Sequence, residues 1–70
     1  MDEKLTTFGQ RLKELREERR LSQEALADKA GLDRTYVSLL ERGKRKPGLK
    51  NLLRLASGLG IELSELVRGL

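Results

Sequence analysis

Residues 21–43, LSQEALADKAGLDRTYVSLLERG, predict two short helices joined by a tight turn. Ser22 is a favourable N-cap for the first helix, which continues through strong helix formers and ends at Gly31, because glycine takes the positive φ of a helix C-terminus without steric cost. Asp33 is the next capping residue and starts a second helix, predicted from Arg34 to Arg42. This layout is typical of a DNA-reading helix-turn-helix, and it also fits an ordinary helical hairpin with a solvated outer face.

Apolar residues recur at helical spacing and give each of these helices an inner and an outer face. In the first helix the inner residues are Leu26, Ala27 and Ala30, and the small alanines allow another helix to cross closely. In the second helix the inner residues are Val37 and Leu40. The outward residues of the second helix are Arg34, Thr35, Ser38 and Leu39.

Apolar periodicity also predicts three further helices. The first is placed from about Thr7 to Arg19, with Thr6 or Thr7 as its cap, on the apolar residues Phe8, Leu12 and Leu15. The fourth follows a loop over residues 43–48 and is closed by Gly60; its marker residues are Leu49, Leu52, Leu55, Ala56 and Leu59. A short fifth helix has the apolar residues Leu63, Leu66 and Val67. No segment alternates with a period of two, so we predict an all-α, compact five-helix fold.

The size and composition of the chain agree with one small domain over residues 1–70, with its core at about 7–68. Seventy residues allow a single core, and the absence of cysteine excludes disulfides and thiolate metal sites. No stretch is long and apolar enough to cross a bilayer, and the polar start from Met1 to Thr7 does not resemble a signal peptide. We therefore expect a cytoplasmic protein.

Positive charge is concentrated in the middle of the chain. The formal net charge is only +4, but one region carries seven basic residues that are opposed there by Glu41 alone. These residues are Arg34, Arg42, Lys44, Arg45, Lys46, Lys50 and Arg54. A basic patch beside a candidate reading helix indicates a phosphate-binding surface, and its alternative is a solubilising charged face.

The residue types of the chain disfavour an enzyme. The sequence has no histidine and no cysteine, its carboxylates are spread among arginines and lysines, and its glycines form no phosphate-binding motif. We read these glycines as turn or loop residues, apart from Gly58, which lies inside the predicted fourth helix. We expect no cofactor, metal ion or small-molecule ligand, and no membrane association, because no helix combines a basic face with aromatic anchors.

The pattern LSQEALADKAGL…R..VS.LERGKRKP.L..L..LA..LG resembles the phage lambda repressor and Cro-like helix-turn-helix family from about Phe8 to Val67. Residues 33–49, DRTYVSLLERGKRKPGL, are most similar to the small controller proteins of restriction-modification genes, although general repressors carry similar strings. The resemblance implies a lambda-repressor-like DNA-binding domain, with its helix-turn-helix formed by helices 2 and 3. Two positions depart from the family pattern. Gly48 replaces a serine or threonine N-cap, and Gly58 replaces an alanine and is a candidate interface position.

The resemblance also implies base contacts in the major groove by the second helix of the motif. Arg34 is the main candidate, because a guanidinium can donate two hydrogen bonds to guanine. Thr35 and Ser38 align with the other usual base-contacting positions of the family. Leu39 aligns with a position that often carries a polar reader, but it can offer only apolar contact, for example to a thymine methyl group.

Phosphate contacts are expected to fix the register of the reading helix. Family members commonly use a glutamine at the position of Gln23 to bind a phosphate and to brace the reading helix. Tyr36 is either a phosphate ligand through its hydroxyl group or a partly buried ring. The basic residues that would bind phosphates, or else be merely solvated, are Arg42, Lys44, Arg45 and Lys46. The resemblance further implies an ion pair between Arg16 and Glu41 that ties the reading helix to the first helix.

One reading helix contacts few base pairs, so small readers usually dimerise and place two helices roughly 34 Å apart on DNA. We predict a homodimer on a pseudo-palindromic operator in double-stranded DNA. The candidate interface residues are Leu53, Leu59, Leu63, Val67 and Leu70. The alternative is that they are extra core residues or are exposed without a function. The resemblance suggests an autoregulating controller of restriction-modification genes. The alternatives are a phage-type repressor or an antitoxin-like protein that acts partly through a protein partner.

Overall fold

The computed structural model describes residues 2–70, and residue 1 of the predicted domain lies outside this range. The described chain forms five helices and no strand, which confirms the predicted all-α fold. They are α1 (Glu3–Glu18), α2 (Gln23–Ala30), α3 (Arg34–Glu41), α4 (Leu49–Leu59) and α5 (Leu63–Leu66). None of the helices in residues 2–70 is long and apolar enough to cross a membrane.

Helix α1 begins four residues before its predicted start at Thr7. Its N-cap is Asp2, whose Oδ1 accepts a hydrogen bond from the backbone N–H of Lys4 at 2.9 Å, so the prediction of a Thr6 or Thr7 cap is wrong. The added turn is tied to the other end of the chain, because Lys4 Nζ donates to the backbone oxygen of Leu70 at 2.7 Å. The apolar stripe starts only at Phe8, and for that reason periodicity did not reveal this turn.

The two helices of the central motif have the predicted caps. Ser22 Oγ accepts from the backbone N–H of Ala25 at 3.0 Å, and Asp33 Oδ1 accepts from that of Thr35 at 2.7 Å. Between them, Gly31 adopts the left-handed conformation with φ 70° and ψ 34°. This backbone conformation turns the chain sharply after α2 and directs it into α3.

The core is built from all five helices. Its largest fully buried side chains are Leu12, Leu26, Val37, Leu40, Leu55 and Leu66. Helix α1 packs against α3, and α2 packs against both α3 and α4. A Cβ atom at Gly58 would lie 3.2 Å from the backbone nitrogen of Ala30, so the close partner at Gly58 is α2 of the same chain. Gly58 is therefore explained by packing within the chain, without a second subunit.

Candidate nucleic-acid interface

The outward face of α3 is open to solvent at its N-terminal end. Arg34 and Thr35 are exposed, and Ser38 and Leu39 are half-buried. Val37 and Leu40 are 0% exposed on the opposite face and fix the helix on the core. The structure thus brings the four predicted base-contacting side chains to one face of one helix.

The four basic residues after the reading helix lie on the surface. Arg42 is the C-cap of α3, and Lys44, Arg45 and Lys46 follow in the loop before α4; all are exposed. Lys50 and Arg54 are exposed on α4 and extend the positive charge. Glu41, the acidic residue of this region, is buried and paired with Arg16. The surface beside α3 therefore carries positive charge without exposed acidic side chains between residues 34 and 54.

Tyr36 joins α3, the reading helix, to α4 and to the loop over residues 43–48, which we call the basic loop. Its half-buried ring packs against the core. The Arg45 guanidinium lies over the ring, 5.3 Å from its centroid, within the range of a cation–π contact. Asn51 Nδ2 donates to Tyr36 Oη at 3.0 Å. The ring is thus partly buried, as one of the two interpretations of Tyr36 expected, and a phosphate contact through its hydroxyl stays a prediction.

Arg16 and Glu41 form a buried ion pair between α1 and α3. Arg16 Nε and Nη2 donate to the two carboxylate oxygens of Glu41 at 2.6 and 3.1 Å, and Arg16 Nη1 donates to the backbone oxygen of Leu21 at 2.8 Å. The Glu41 side chain is only 3% exposed. Hydrogen bonding to Glu41 raises the pKa of Arg16 above its ordinary value, against the opposing effect of burial. Arg16 therefore stays charged wherever the protein is folded at neutral pH.

Gln23, the predicted phosphate ligand at the start of α2, belongs to the same network. Its Nε2 donates to Glu41 Oε1 at 3.0 Å. Glu41 thus joins the first turn of α2 to the last turn of α3 and to α1. The family resemblance implies that Gln23 braces the reading helix, but it does not identify Glu41 as the partner. The two residues lie on different helices, and only the crossing of those helices brings them together.

Gly9 is a positioning residue inside α1, so the prediction that it is a turn or loop residue is wrong. It is buried inside α1, and a Cβ atom there would lie 2.5 Å from the backbone oxygens of both Leu40 and Glu41. Side chains cannot be accommodated at this distance, so the backbones of α1 and α3 are in direct contact. A glycine inside a predicted amphipathic helix is the signal in the sequence for such a close crossing.

The candidate interface residues differ in accessibility. Leu53 is 50% and Leu70 is 39% exposed, whereas Leu63 and Val67 are half-buried and pack against the core. Leu59 is only 5% exposed and is a core residue, which corrects its assignment to the interface. Conversely, Leu49 is one of the apolar residues that mark the predicted fourth helix, but it is 64% exposed. Leu49 lies in the first turn of α4, whereas Leu55 and Leu59 are buried further along the helix.

Nothing in residues 2–70 groups acidic side chains closely enough to hold a metal ion. What the described chain presents is a pair of short helices at a glycine turn, with the outward face of the second helix exposed beside a basic loop. That combination defines the helix-turn-helix class of DNA-binding proteins.

Comparison with known proteins agrees with this class. The chain is 55% identical over 60 residues to the control protein C.MunI of a Mycoplasma species, covering 84% of this chain and 81% of that protein. It is 46% identical over 61 residues to the immunity repressor protein of Bacillus phage phi105, covering 87% of this chain and 42% of that protein. The crystal structure of the restriction-modification controller protein C.AhdI from Aeromonas hydrophila has a TM-score of 0.87 and 56% identity, covering 89% of this chain and 94% of that chain.

The model of the helix-turn-helix family matches residues 12–66. The chain belongs to this family of DNA-binding transcription regulators. The predicted resemblance to controller proteins and to phage repressors is confirmed by these relatives.

Proposed function

We propose that this protein is a homodimeric transcriptional regulator that acts in the cytoplasm on a pseudo-palindromic operator and controls restriction-modification genes. The observation that carries the proposal is the exposed outward face of α3 beside the basic loop, with no exposed acidic residue between positions 34 and 54. The similarity to C.MunI and C.AhdI supports the controller role. Control of its own gene is part of this proposal.

Sequence is read by the outward face of α3 in the major groove. Arg34, the first residue of the helix, donates two hydrogen bonds to guanine O6 and N7, a contact worth about 1–3 kcal/mol of discrimination. Thr35 and Ser38 add hydroxyl or methyl contacts. Leu39 offers apolar contact to a thymine methyl group.

The register of α3 on DNA is set by contacts to the phosphate backbone. Gln23 donates one of the two protons of its Nε2 to Glu41 and uses the other to bind a phosphate at the start of α2. Free backbone N–H groups there also favour an anion. Tyr36 donates from its hydroxyl group to a second phosphate. The cations that neutralise the backbone beyond α3 are Arg42, Lys44, Arg45 and Lys46.

A two-fold interface places the second copy of α3 on the next half-site. The exposed Leu53 and Leu70 and the half-buried Leu63 and Val67 supply its apolar surface. Because the same patch occurs on both subunits, the contact closes at a dimer.

Selection of bound duplexes from a random DNA library at physiological salt tests the proposal. The affinities of the selected duplexes are then compared with those of scrambled duplexes across a salt series. Enrichment of an inverted repeat, with a specificity ratio above roughly 10³, is the expected result. Failure to enrich any sequence, together with the absence of salt-sensitive DNA binding, contradicts the proposal and favours a protein that acts through a protein partner.

A further inference from the structure

Asn51 lies in the first turn of α4 and contacts a residue of the reading helix, a contact that no sequence pattern predicts. Its amide donates to Tyr36 Oη at 3.0 Å, while Arg45 covers the face of the same ring. We infer that Asn51 is a positioning residue: it fixes the direction of the Tyr36 hydroxyl so that the hydroxyl proton is presented to a phosphate oxygen of the DNA backbone. This inference rests on the proposed DNA-binding function.

The direction of the hydrogen bond carries the argument. A phenolic hydroxyl has one proton to donate and lone pairs that accept. Asn51 donates to this oxygen, so the proton of Tyr36 cannot point at Asn51 and is directed elsewhere. Among residues 2–70 that proton has no acceptor, which leaves it available to a ligand.

The surroundings of Tyr36 favour an anionic acceptor. Its ring is held between the core and the Arg45 guanidinium, so the hydroxyl has little freedom except rotation about the C–O bond. Asn51 restricts this rotation before DNA binds. Exposed lysines adjoin both partners of Tyr36 in the sequence, Lys46 beside Arg45 and Lys50 beside Asn51. A phosphate group drawn to these cations would meet the hydroxyl as a charge-assisted acceptor.

A double-mutant cycle separates this role from a direct contact of Asn51 with DNA. Asn51→Ala is made in the natural protein and in Tyr36→Phe, which keeps the ring beneath Arg45 but removes the hydroxyl. The probes are a selected duplex and a mixed-sequence duplex. Tyr36→Phe is expected to weaken binding to both probes about tenfold, the size of one hydrogen bond. Asn51→Ala is expected to weaken both about threefold with Tyr36 present and to have no effect with Phe at that position.

Two further measurements test whether Asn51 and the Tyr36 hydroxyl act only through protein stability or through charge. The variants should remain fully folded at the temperature of the binding assay, as thermal unfolding shows, even though the loss of one hydrogen bond lowers their midpoints by a few degrees. The slope of affinity against salt should stay unchanged, because a neutral hydroxyl releases no counterion. Asn51→Asp keeps the size of the side chain but accepts the hydroxyl proton instead of donating. Its loss of affinity should be larger with Tyr36 than with Phe at that position, and the Phe background isolates the effect of the added charge.

The outcomes distinguish this inference from the proposed function. If the natural protein binds neither duplex, the proposed function fails and this inference fails with it. If the natural protein binds but Asn51→Ala weakens binding equally in both backgrounds, Asn51 contacts DNA independently of Tyr36 and the inference is overturned. The inference is likewise overturned if Asn51→Ala leaves the affinity for DNA unchanged both in the natural protein and in Tyr36→Phe.

Discussion

Arg16 and Glu41 lie 25 residues apart in the sequence, yet Arg16 Nε donates to Glu41 Oε2 at 2.6 Å and Nη2 donates to Oε1 at 3.1 Å. The pair joins the last turn of α3 to α1. Gln23 adds the start of α2 through the same carboxylate. One buried glutamate therefore ties together three helices and holds the reading helix on its scaffold.

We expect Glu41→Ala to lower the free energy of unfolding by about 3–5 kcal/mol, because it leaves the charge of Arg16 buried without its partner. Chemical or thermal unfolding followed by circular dichroism measures this loss. Base preference, measured at a temperature where the variant is folded, should be retained. The matched control is Arg16→Met combined with Glu41→Leu, which removes both charges and should be far less destabilising. An unchanged unfolding midpoint in Glu41→Ala contradicts the prediction.

The contribution of Arg16 to stability has a defined pH dependence. Since the pKa of Arg16 is raised in the folded state, its contribution is fully present below the unfolded-state pKa and is lost only as pH rises through the folded-state value. The contribution of Arg16 to the free energy of unfolding should therefore be the same at neutral and at mildly alkaline pH. Chemical unfolding of the natural protein and of Arg16→Met at both pH values measures this contribution as the difference between the two proteins.

Gly9→Ala should destabilise the fold by about 1–3 kcal/mol and weaken DNA binding, because the added methyl group would force the backbones of α1 and α3 apart. Its Cβ would lie 2.5 Å from two backbone oxygens, neither of which can move without moving α3. Gln10→Ala is the control, since Gln10 is the next residue of α1, is exposed, and lies in a helix interior that favours alanine. We expect Gln10→Ala to change stability by less than about 0.5 kcal/mol. Equal stability of the two variants would show that the close crossing is not required.

Arg34→Ala and Lys44→Ala should affect DNA binding in different ways. Removing Arg34 should relax discrimination at one base pair by about 1–3 kcal/mol. Removing Lys44 should weaken binding to all sequences and reduce the slope of log affinity against log salt by about one unit. Titrations of selected and scrambled duplexes at several salt concentrations measure both effects. Equal losses of affinity on every duplex for Arg34→Ala would reject its role in base recognition.

Leu53→Glu should convert the dimer to a monomer, because it places a charge in the proposed apolar interface while leaving the core intact. Sedimentation at several protein concentrations measures this change. Gln10→Glu is the control, since it adds a negative charge at an exposed position of α1 and should leave the dimer unchanged. A natural protein that stays monomeric at high concentration disproves the interface.

Leu59→Ala provides a contrast with Leu53→Glu, because Leu59 is a core residue. It should lower the free energy of unfolding by about 2–5 kcal/mol. Both substitutions are in α4, so the comparison separates loss of assembly from loss of folding.

The sequence by itself determined the elements that depend on neighbouring residues. Ser22, Gly31 and Asp33 set the ends of α2 and α3, because capping and left-handed turns act over only a few residues. Apolar periodicity identified the buried faces of both helices, since a helix places residues three and four apart on one side. The cap at Asp2 is also local, but the apolar stripe that predicts α1 starts only at Phe8, so periodicity does not indicate the first turn of the helix.

Only the tertiary structure decided how these elements meet. The contacts of Gly9 with the end of α3, of Gln23 with Glu41 and of Asn51 with Tyr36 all depend on where two helices cross. The packing of α4 against its neighbours also covers Leu59 and leaves Leu49 exposed, although both are leucines of the same helix. Residue type and spacing specify which side of a helix is apolar, but the neighbouring helices determine how much of that side is covered and which polar atoms come within bonding distance.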